Sequence, residues 1–457
     1  MKILMRGTVN PLTAPNTAKF IIENRTGGNI CNMLFTHSVA EALMYSDDVE
    51  IDYVNTAKKK LDRYYADYVN DTYDCFVLPL ANTFKVQGHE EMVSLADFIK
   101  MLKIPCHIIG VGIQRTLTGD KFIDTYPYND EVKQFVSAVL NKSPLIGVKG
   151  EITSDYLSDL GFKPEKDFTV IGCPSMYLYG EKLPKVKALK LNGDSVVAFN
   201  SKVEFETRKG YAPVIDFLKS NMAEFKNPVY VAQQIDDIRM LYLDRYKRKR
   251  RDNKFYDIDK AVSFVDIHSW IDFFKDVNLS VGSRIHGNIA AVLAGTPALA
   301  IPYDRRVYEI ADYHNIPIID YKALDGASLT DIAEKTDFTT VNRGHGERFS
   351  HYLDFLHKLG LDTIYDHSYA DGTPYDKLIA EQEFCGVIKA YGACGEAEQL
   401  ERYRDAFPIV KKLQSDESIR GEELSAEIEE LKAEIAQLKN PPKKKRGLFK
   451  KKNTDEE

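Results

Sequence analysis

The sequence predicts two doubly wound, Rossmann-like α/β domains in series followed by a helical extension, and three observations predict this fold class. Short β-rich runs alternate with helical ones from the first residue to about residue 320, the pattern of parallel sheets covered by helices. A polar stretch, YGEKLPKVKALKLNGD at 179–194, interrupts that alternation once. At 457 residues the chain also exceeds what one hydrophobic core usually supports.

In order, MKILMRGTVNPL reads as a first strand rather than a signal peptide, because its apolar start is short and no small-residue cleavage site follows. DCFVLPL (74–80), CHIIGVGI (106–113), PLIGVKG (144–150) and DFTVIGCPSM (167–176) read as strands. The helices between them are MVSLADFIKML (92–102), EVKQFVSAVLNKS (131–143) and EITSDYLSDLG (151–161), the last stopping at Gly161. These units make an N-terminal domain over 1–185. SVVAFNS at 195 opens a second domain, placed over 194–325. There APVIDFLKSNMAEF, IHSWIDFFKDV and NIAAVLAG are the expected helices, and PVYVAQQ, NLSVGSR and PALAIPY the expected strands. The basic, tyrosine-bearing insertion LDRYKRKRRDNKFYD (243–257) is either a solvated loop or a grip on a polyanion.

Residues 326–412 are expected to form only a helical extension. Within 415–440, Leu424, Ile428, Leu431, Ile435 and Leu438 step by 4, 3, 4 and 3, which is a short coiled-coil seam suited to self-association or a single helix packed on the body. Pro441 and Pro442 end it. The tail over 441–457 gathers seven basic residues around Leu448 and Phe449, suited to an anionic membrane surface, a nuclear address or simple solubilisation.

Composition narrows the function classes. A formal charge of −7 argues against a protein that coats nucleic acid. Six cysteines without a CxxC pair signal neither a zinc knuckle nor a disulfide scaffold and fit a cytoplasmic, reducing setting. No run approaches the ~20 apolar residues of a membrane span, so membrane contact is expected only at the inner face, through the tail.

The chemistry concentrates in VGSRIHGNIAAVLAGTPALAIP (281–302). An apolar strand stops at Gly282 and Ser283, and a small-residue helix follows, so free N–H groups and the positive end of the helix dipole converge at the turn. Arg284 adds a bidentate fork for phosphate or carboxylate, and His286 adds a proton source able to titrate near neutrality. Gly282, Ser283, Ile285, Gly287 and Asn288 complete the expected anion site. GGNICN (27–32) offers Gly28, Asn29 and Asn32, either as ligand contacts or as a tight turn before a helix. Arg115 is a further basic candidate at a strand end. QQIDD (233–237) either meets sugar hydroxyls or a nucleotide, or caps a helix. His37, His107 and His268 read as structural, and Cys173 as a buried small residue.

With these residues in view, VGSRIHGNIAAVLAGTPALAIPYDRRV resembles the signature of the polysaccharide pyruvyl transferase family. GGNICN, IIGVGIQ (108–114) and GVKGEITSDYLSDLGF followed by VIGCPSM agree with it in order and spacing, over roughly residues 1–320. The resemblance implies a two-domain fold similar to GT-B glycosyltransferases and transfer of a pyruvyl group from phosphoenolpyruvate to a sugar as a ketal. Phosphoenolpyruvate would be a co-substrate, with no cofactor or metal required, and the acceptor a saccharide carried on a lipid or nucleotide. Arg284 would clamp the donor, with His286 as candidate general acid. Relatives commonly carry arginine in the block at 148–150, where this chain has Val148, Lys149 and Gly150. Lys149 keeps the charge but loses the fork, and is either a second donor ligand or a surface lysine. The alternatives are a nucleotide-sugar glycosyltransferase on the same architecture and a non-catalytic saccharide-binding scaffold that self-associates through its C-terminal helix.

Overall fold

The computed structural model describes residues 1–8, 10, 16–114, 126–201, 211–243 and 260–415. Arg115, the insertion from 244 to 257, the seam at 424–438 and the basic tail lie outside the described residues. Residues 1–403 form one compact unit and 404–457 another, of which 404–415 are described and helical.

The first half runs β1 (Lys2–Arg6), α1 (Thr17–Ile22), α2 (Cys31–Leu43), β2 (Glu50–Val54), α3 (Arg63–Thr72), β3 (Cys75–Pro79), α4 (His89–Met101), β4 (Cys106–Ile109), α5 (Asn129–Leu140), β5 (Ile146–Val148), α6 (Glu151–Asp159) and β6 (Phe168–Val170). Its strands lie parallel in the order β2-β1-β3-β4, and a bridge between Val111 and Val148 carries the sheet on to β5 and β6. Every residue of β3, β4 and β5 is buried, as expected where helices cover both faces of a parallel sheet. One face packs on α3 to α6 through Phe76, Phe98, Phe135 and Tyr156.

The second half runs β7 (Val196–Asn200), α7 (Ala212–Met222), β8 (Asn227–Tyr230), α8 (Ile235–Leu243), β9 (Val262–Ser263), α9 (Ile267–Phe274), β10 (Leu279–Gly282), α10 (Ile285–Leu293), β11 (Ala298–Ala300) and α11 (Arg305–Tyr313). Its parallel order is β11-β10-β7-β8, with Val231 bridging to Val262 of β9. The two halves are thus both doubly wound.

The extension departs from the expectation of helices alone. After α12 (Leu329–Lys335), α13 (His345–Lys358) and α14 (Pro374–Ala380), the short strand β12 (Ile388–Lys389) pairs antiparallel with β9. The extension also returns to the first half. Phe349, Tyr352, Phe355 and Leu356 of α13 join Ile3, Met5, Val77 and Ile109 in one core cluster. This apolar stripe at helical spacing must be buried, and the free face of the first sheet is where it finds cover. No helix among the described residues is long and apolar enough to cross a membrane.

Strand order fixes where a ligand can lie. In the first sheet the chain leaves β1 to one side for β2 and crosses to β3 on the other; in the second it leaves β7 for β8 and later returns to β10. Helices diverge at such switch points and leave a crevice at the carboxyl ends of the strands. A cavity of about 360 Å³ lies there, lined by Gly7 and Thr8 after β1, Leu80 to Thr83 after β3, and Ser283 to His286 after β10.

Candidate active site

The turn after β10 is built by close packing. Gly282 has φ +154°, and a Cβ on it would strike the Asn200 carbonyl on β7, so only glycine lets the two strand ends approach this closely. Asn200 then holds the turn: its carbonyl accepts from Ser283 N at 3.0 Å and its Oδ1 from Arg284 N at 2.7 Å. Asn288, fully buried, donates to the Gly282 carbonyl at 3.1 Å, and its Oδ1 accepts from Asn200 Nδ2 and Ser280 Oγ. The helix starts earlier than its small-residue run suggests, with Arg284 at the N-cap and His286 in the first turn.

Arg284 is 8% exposed and donates from Nη2 to Gln234 Oε1 at 3.1 Å. No carboxylate pairs with it among the described residues. Gln234 also accepts from Asn29 Nδ2 at 3.2 Å. Backbone bonds from Ile30 N to Gln233 O and from Ile235 N to Gly28 O tie the GGNICN loop of the first half to the QQIDD segment of the second. The N-termini of α2 and α10 therefore border one cavity, and both favour an anion.

A second guanidinium comes from α11. Arg306 lines the cavity, lies 3.4 Å from the Tyr303 hydroxyl and 3.6 Å from Asp304 Oδ2. Asp304 is committed to capping α11 through Val307 N at 2.8 Å. Under the cavity wall, Lys149 is wholly buried. Its ammonium lies 3.6 Å from Cys173 Sγ and 5.7 Å from the centre of the Phe35 ring. The same sulfur lies 3.5 Å from His286 Nε2, so Lys149, Cys173 and His286 touch in sequence. Burial first, then Lys149, Arg306 and Arg284, push His286 well below its ordinary pKa. This shift favours the neutral imidazole near neutral pH, where an ordinary histidine would be titrating.

Glu309, one turn after Arg306 on α11, crosses to the first half and accepts from Thr153 N at 2.9 Å and Thr153 Oγ1 at 2.8 Å in the first turn of α6. Burial pushes its carboxyl up to about 8, against the pull of Thr153, Lys149 and Arg306. It anchors the helix that carries Arg306.

Of the residues expected from the sequence, Gly28, Asn29, Asn32, Ser283, Arg284, Ile285 and His286 line the cavity. Gly282, Gly287 and Asn288 do not. They shape the turn behind it, and a Cβ on Gly287 would collide with the Gln233 amide. Lys149, read as either a surface lysine or a donor ligand, is neither exposed nor part of the lining, because the turn after β5 points inward under Cys173. Arg115 lies outside the described residues. Cys173 is buried as expected, but with a histidine and an ammonium against its sulfur. Sequence reasoning did not single out Arg306, Tyr303, Glu309, Arg6 or Glu91. YDRRV directly after the motif was the one available signal for the first two. No three His, Cys, Asp or Glu side chains among the described residues come together as metal ligands.

Among solved structures, the chain is similar in course to Anabaena HepE in complex with UDP and glucose, at 13% identity over 79% of this chain and 97% of that chain, with a TM-score of 0.42. It is similar to Methanocaldococcus jannaschii UDP-GlcNAc 2-epimerase in complex with UDP-GlcNAc and UDP, at 12% identity over 78% and 100%, with a TM-score of 0.43. Likeness at this distance says nothing about ligand or activity. No curated protein matches the chain in sequence. The family model for polysaccharide pyruvyl transferase matches residues 42–305, more than half of the chain, including the strands and turns that build the cavity wall around Arg284 and His286. The chain belongs to the polysaccharide pyruvyl transferase family.

Proposed function

We propose that the protein transfers the pyruvyl group of phosphoenolpyruvate to two hydroxyls of a sugar, forming a cyclic ketal and releasing inorganic phosphate. The observation that carries this reading is the convergence of Arg284, Arg306 and the α10 N-terminus beside a buried, neutral His286. A small ligand bearing both phosphate and carboxylate suits two guanidinium groups that line one cavity from the starts of α10 and α11.

Ketal formation requires a proton on the enol methylene, attack of one hydroxyl on the resulting cationic carbon, departure of phosphate, and closure by the second hydroxyl. The two hydroxyl protons end on the new methyl group and on phosphate, so no redox partner is needed. Burial, and then the cations around it, hold His286 neutral. A bound trianion offsets Lys149, Arg306 and Arg284, raises the imidazole pKa, and so recruits the proton that the methylene takes. Burial makes that charge coupling large. Cys173, in van der Waals reach of the ring, fixes its orientation.

The test is incubation of the purified protein with phosphoenolpyruvate and a panel of saccharides, following phosphate release and the mass gained by the sugar. Acceptor-dependent phosphate release with a pyruvate ketal on the product supports the reading. Transfer from a nucleotide sugar with release of nucleotide, and none from phosphoenolpyruvate, overturns it in favour of a glycosyltransferase.

A further inference from the structure

Lys149 holds an ammonium where almost nothing can accept its protons. The group has three donors, yet the Cys173 sulfur at 3.6 Å is its one hydrogen-bond partner among the described residues, and the residue is fully buried. The Phe35 ring lies against it, and Gly110, at φ +81°, leaves the room it occupies: a Cβ there would come within 3.2 Å of Nζ. Burying an ammonium against a thiol is costly, so the group holds its proton loosely. Burial, joined by Arg306, lowers its pKa from the ordinary lysine value against the pull of Cys173 and Glu309.

The sulfur is fixed from behind. Cys173 N donates to His314 Nε2 at 2.8 Å, and Gly172, at φ +72°, admits that ring where a Cβ would strike it. Sγ then faces three polar atoms: Lys149 Nζ, His286 Nε2 at 3.5 Å and Ser175 Oγ at 3.6 Å. Cys31 of α2 and Tyr352 of α13 are further titratable groups near it. His286 lines the cavity, and its other ring nitrogen, Nδ1, has no hydrogen-bond partner among the described residues. One nitrogen of the imidazole is thus committed to the interior, and the other is left for a ligand.

We propose that Lys149 is the proton store of this site and that the Cys173 thiol conducts its proton to His286. As Nδ1 gives its proton to the methylene carbon of the bound donor, Nε2 takes the thiol proton and the sulfur takes one from the ammonium. Bonds to hydrogen break at Nδ1, Sγ and Nζ and form at the methylene carbon, Nε2 and Sγ. Lys149 is left as a neutral amine, while imidazole and thiol keep their charge. Deprotonation of an acceptor hydroxyl at Nδ1 runs the chain backwards and restores the ammonium. The inference rests on the proposed pyruvyl transfer for the destination of the proton. It lets a neutral ring serve as the acid, because the ring passes a proton on instead of storing one. A guanidinium at position 149 would keep the charge and withhold the proton.

The first measurement needs no turnover. Nitrogen-detected NMR of the empty full chain at pH 7 should show the proton on Nδ1 and Nε2 as an acceptor, and Cys173→Ala should move the Nε2 resonance. A proton on Nε2 in the parent, or a resonance indifferent to Cys173→Ala, overturns the relay. The second measurement follows phosphate release from phosphoenolpyruvate with a panel of saccharides, with a thermal melt of each variant. Lys149→Arg and Cys173→Ala should each lower kcat about 100-fold, the usual worth of a positioned proton donor, with KM for phosphoenolpyruvate within threefold of the parent. The kcat of the parent should fall at alkaline pH, below the ordinary lysine range, as the store empties, and that limb should vanish in Lys149→Arg. Cys173→Ser, whose hydroxyl still exchanges protons, should recover part of the rate. Lys149→Met replaces the arginine variant where the larger group prevents folding. A folded Cys173→Ala or Lys149→Arg protein with kcat within threefold of the parent, an effect on KM alone, or an alkaline limb that survives Lys149→Arg overturns the relay. The two readings fail separately. Nε2 found as an acceptor in a parent that releases no phosphate with any saccharide overturns pyruvyl transfer and leaves the proton chain standing; ketal formation in a parent with its proton on Nε2 does the reverse.

Discussion

Arg284→Ala tests the donor site most directly, because the structure separates the role of this side chain in the fold from its role in binding. Among the described residues the guanidinium makes one hydrogen bond, to Gln234. The bond that holds the turn comes from its backbone N–H to Asn200 and survives the substitution. Stability should therefore change little, and the melting temperature should stay within a few degrees of the parent. Binding should change a great deal. A buried guanidinium with no carboxylate partner among the described residues meets a bound anion as a fork of charge-assisted bonds. Losing them costs about 3 kcal/mol, or a ~150-fold loss in kcat/KM for phosphoenolpyruvate. Arg284→Lys restores the charge but not the second donor and should recover part of that loss. The assay is steady-state phosphate release at saturating acceptor, with a thermal melt of each variant alongside. A folded Arg284→Ala protein whose kcat/KM lies within threefold of the parent would refute the assignment of this turn as the donor clamp.

Nitrogen-detected NMR of the empty protein should find the His286 ring neutral at pH 6, since burial and the surrounding cations hold its pKa well below the ordinary value, and saturating phosphoenolpyruvate should move its titration upward. A ring protonated at pH 6.5 without ligand contradicts that. Glu309, with its folded pKa pushed up to about 8 from about 4.5, binds its proton more tightly in the native state across that window. Its contribution to stability is full at pH below about 4.5 and is lost as pH rises through 8. Calorimetry of Glu309→Gln should accordingly show a melting temperature that falls less between pH 5 and 8.5 than that of the parent; equal slopes would contradict the assignment. Gly282→Ala forces a side chain into the Asn200 carbonyl at φ +154° and should destabilise the protein by roughly 2 kcal/mol or more, seen as a lower melting temperature or loss of soluble protein. An unchanged melt would mean that the two strand ends can separate without cost.

What the sequence by itself determined is local. Alternating apolar runs, glycines at strand ends and the small-residue helix after Ser283 specify βα units and a turn bearing Arg284 and His286, because hydrophobic periodicity and backbone sterics act over a few residues. The resemblance carried by that turn and its companion blocks reached the family. Tertiary structure decided everything that depends on distant segments meeting. It brought the GGNICN loop against Gln234, turned Lys149 inward under Cys173, and lowered the His286 pKa by burying the ring and then by setting cations from three segments around it. It also placed Arg306 and Glu309 at the seam between the halves, and sent α13 back over the first sheet. None of these follows from spacing, since burial, hydrogen-bond partners and local charge arise only when the two sheets pack and their switch points face one crevice. The short strand β12 shows the same limit: two residues of β-structure carry no periodicity, and only the open edge at β9 gives them a partner.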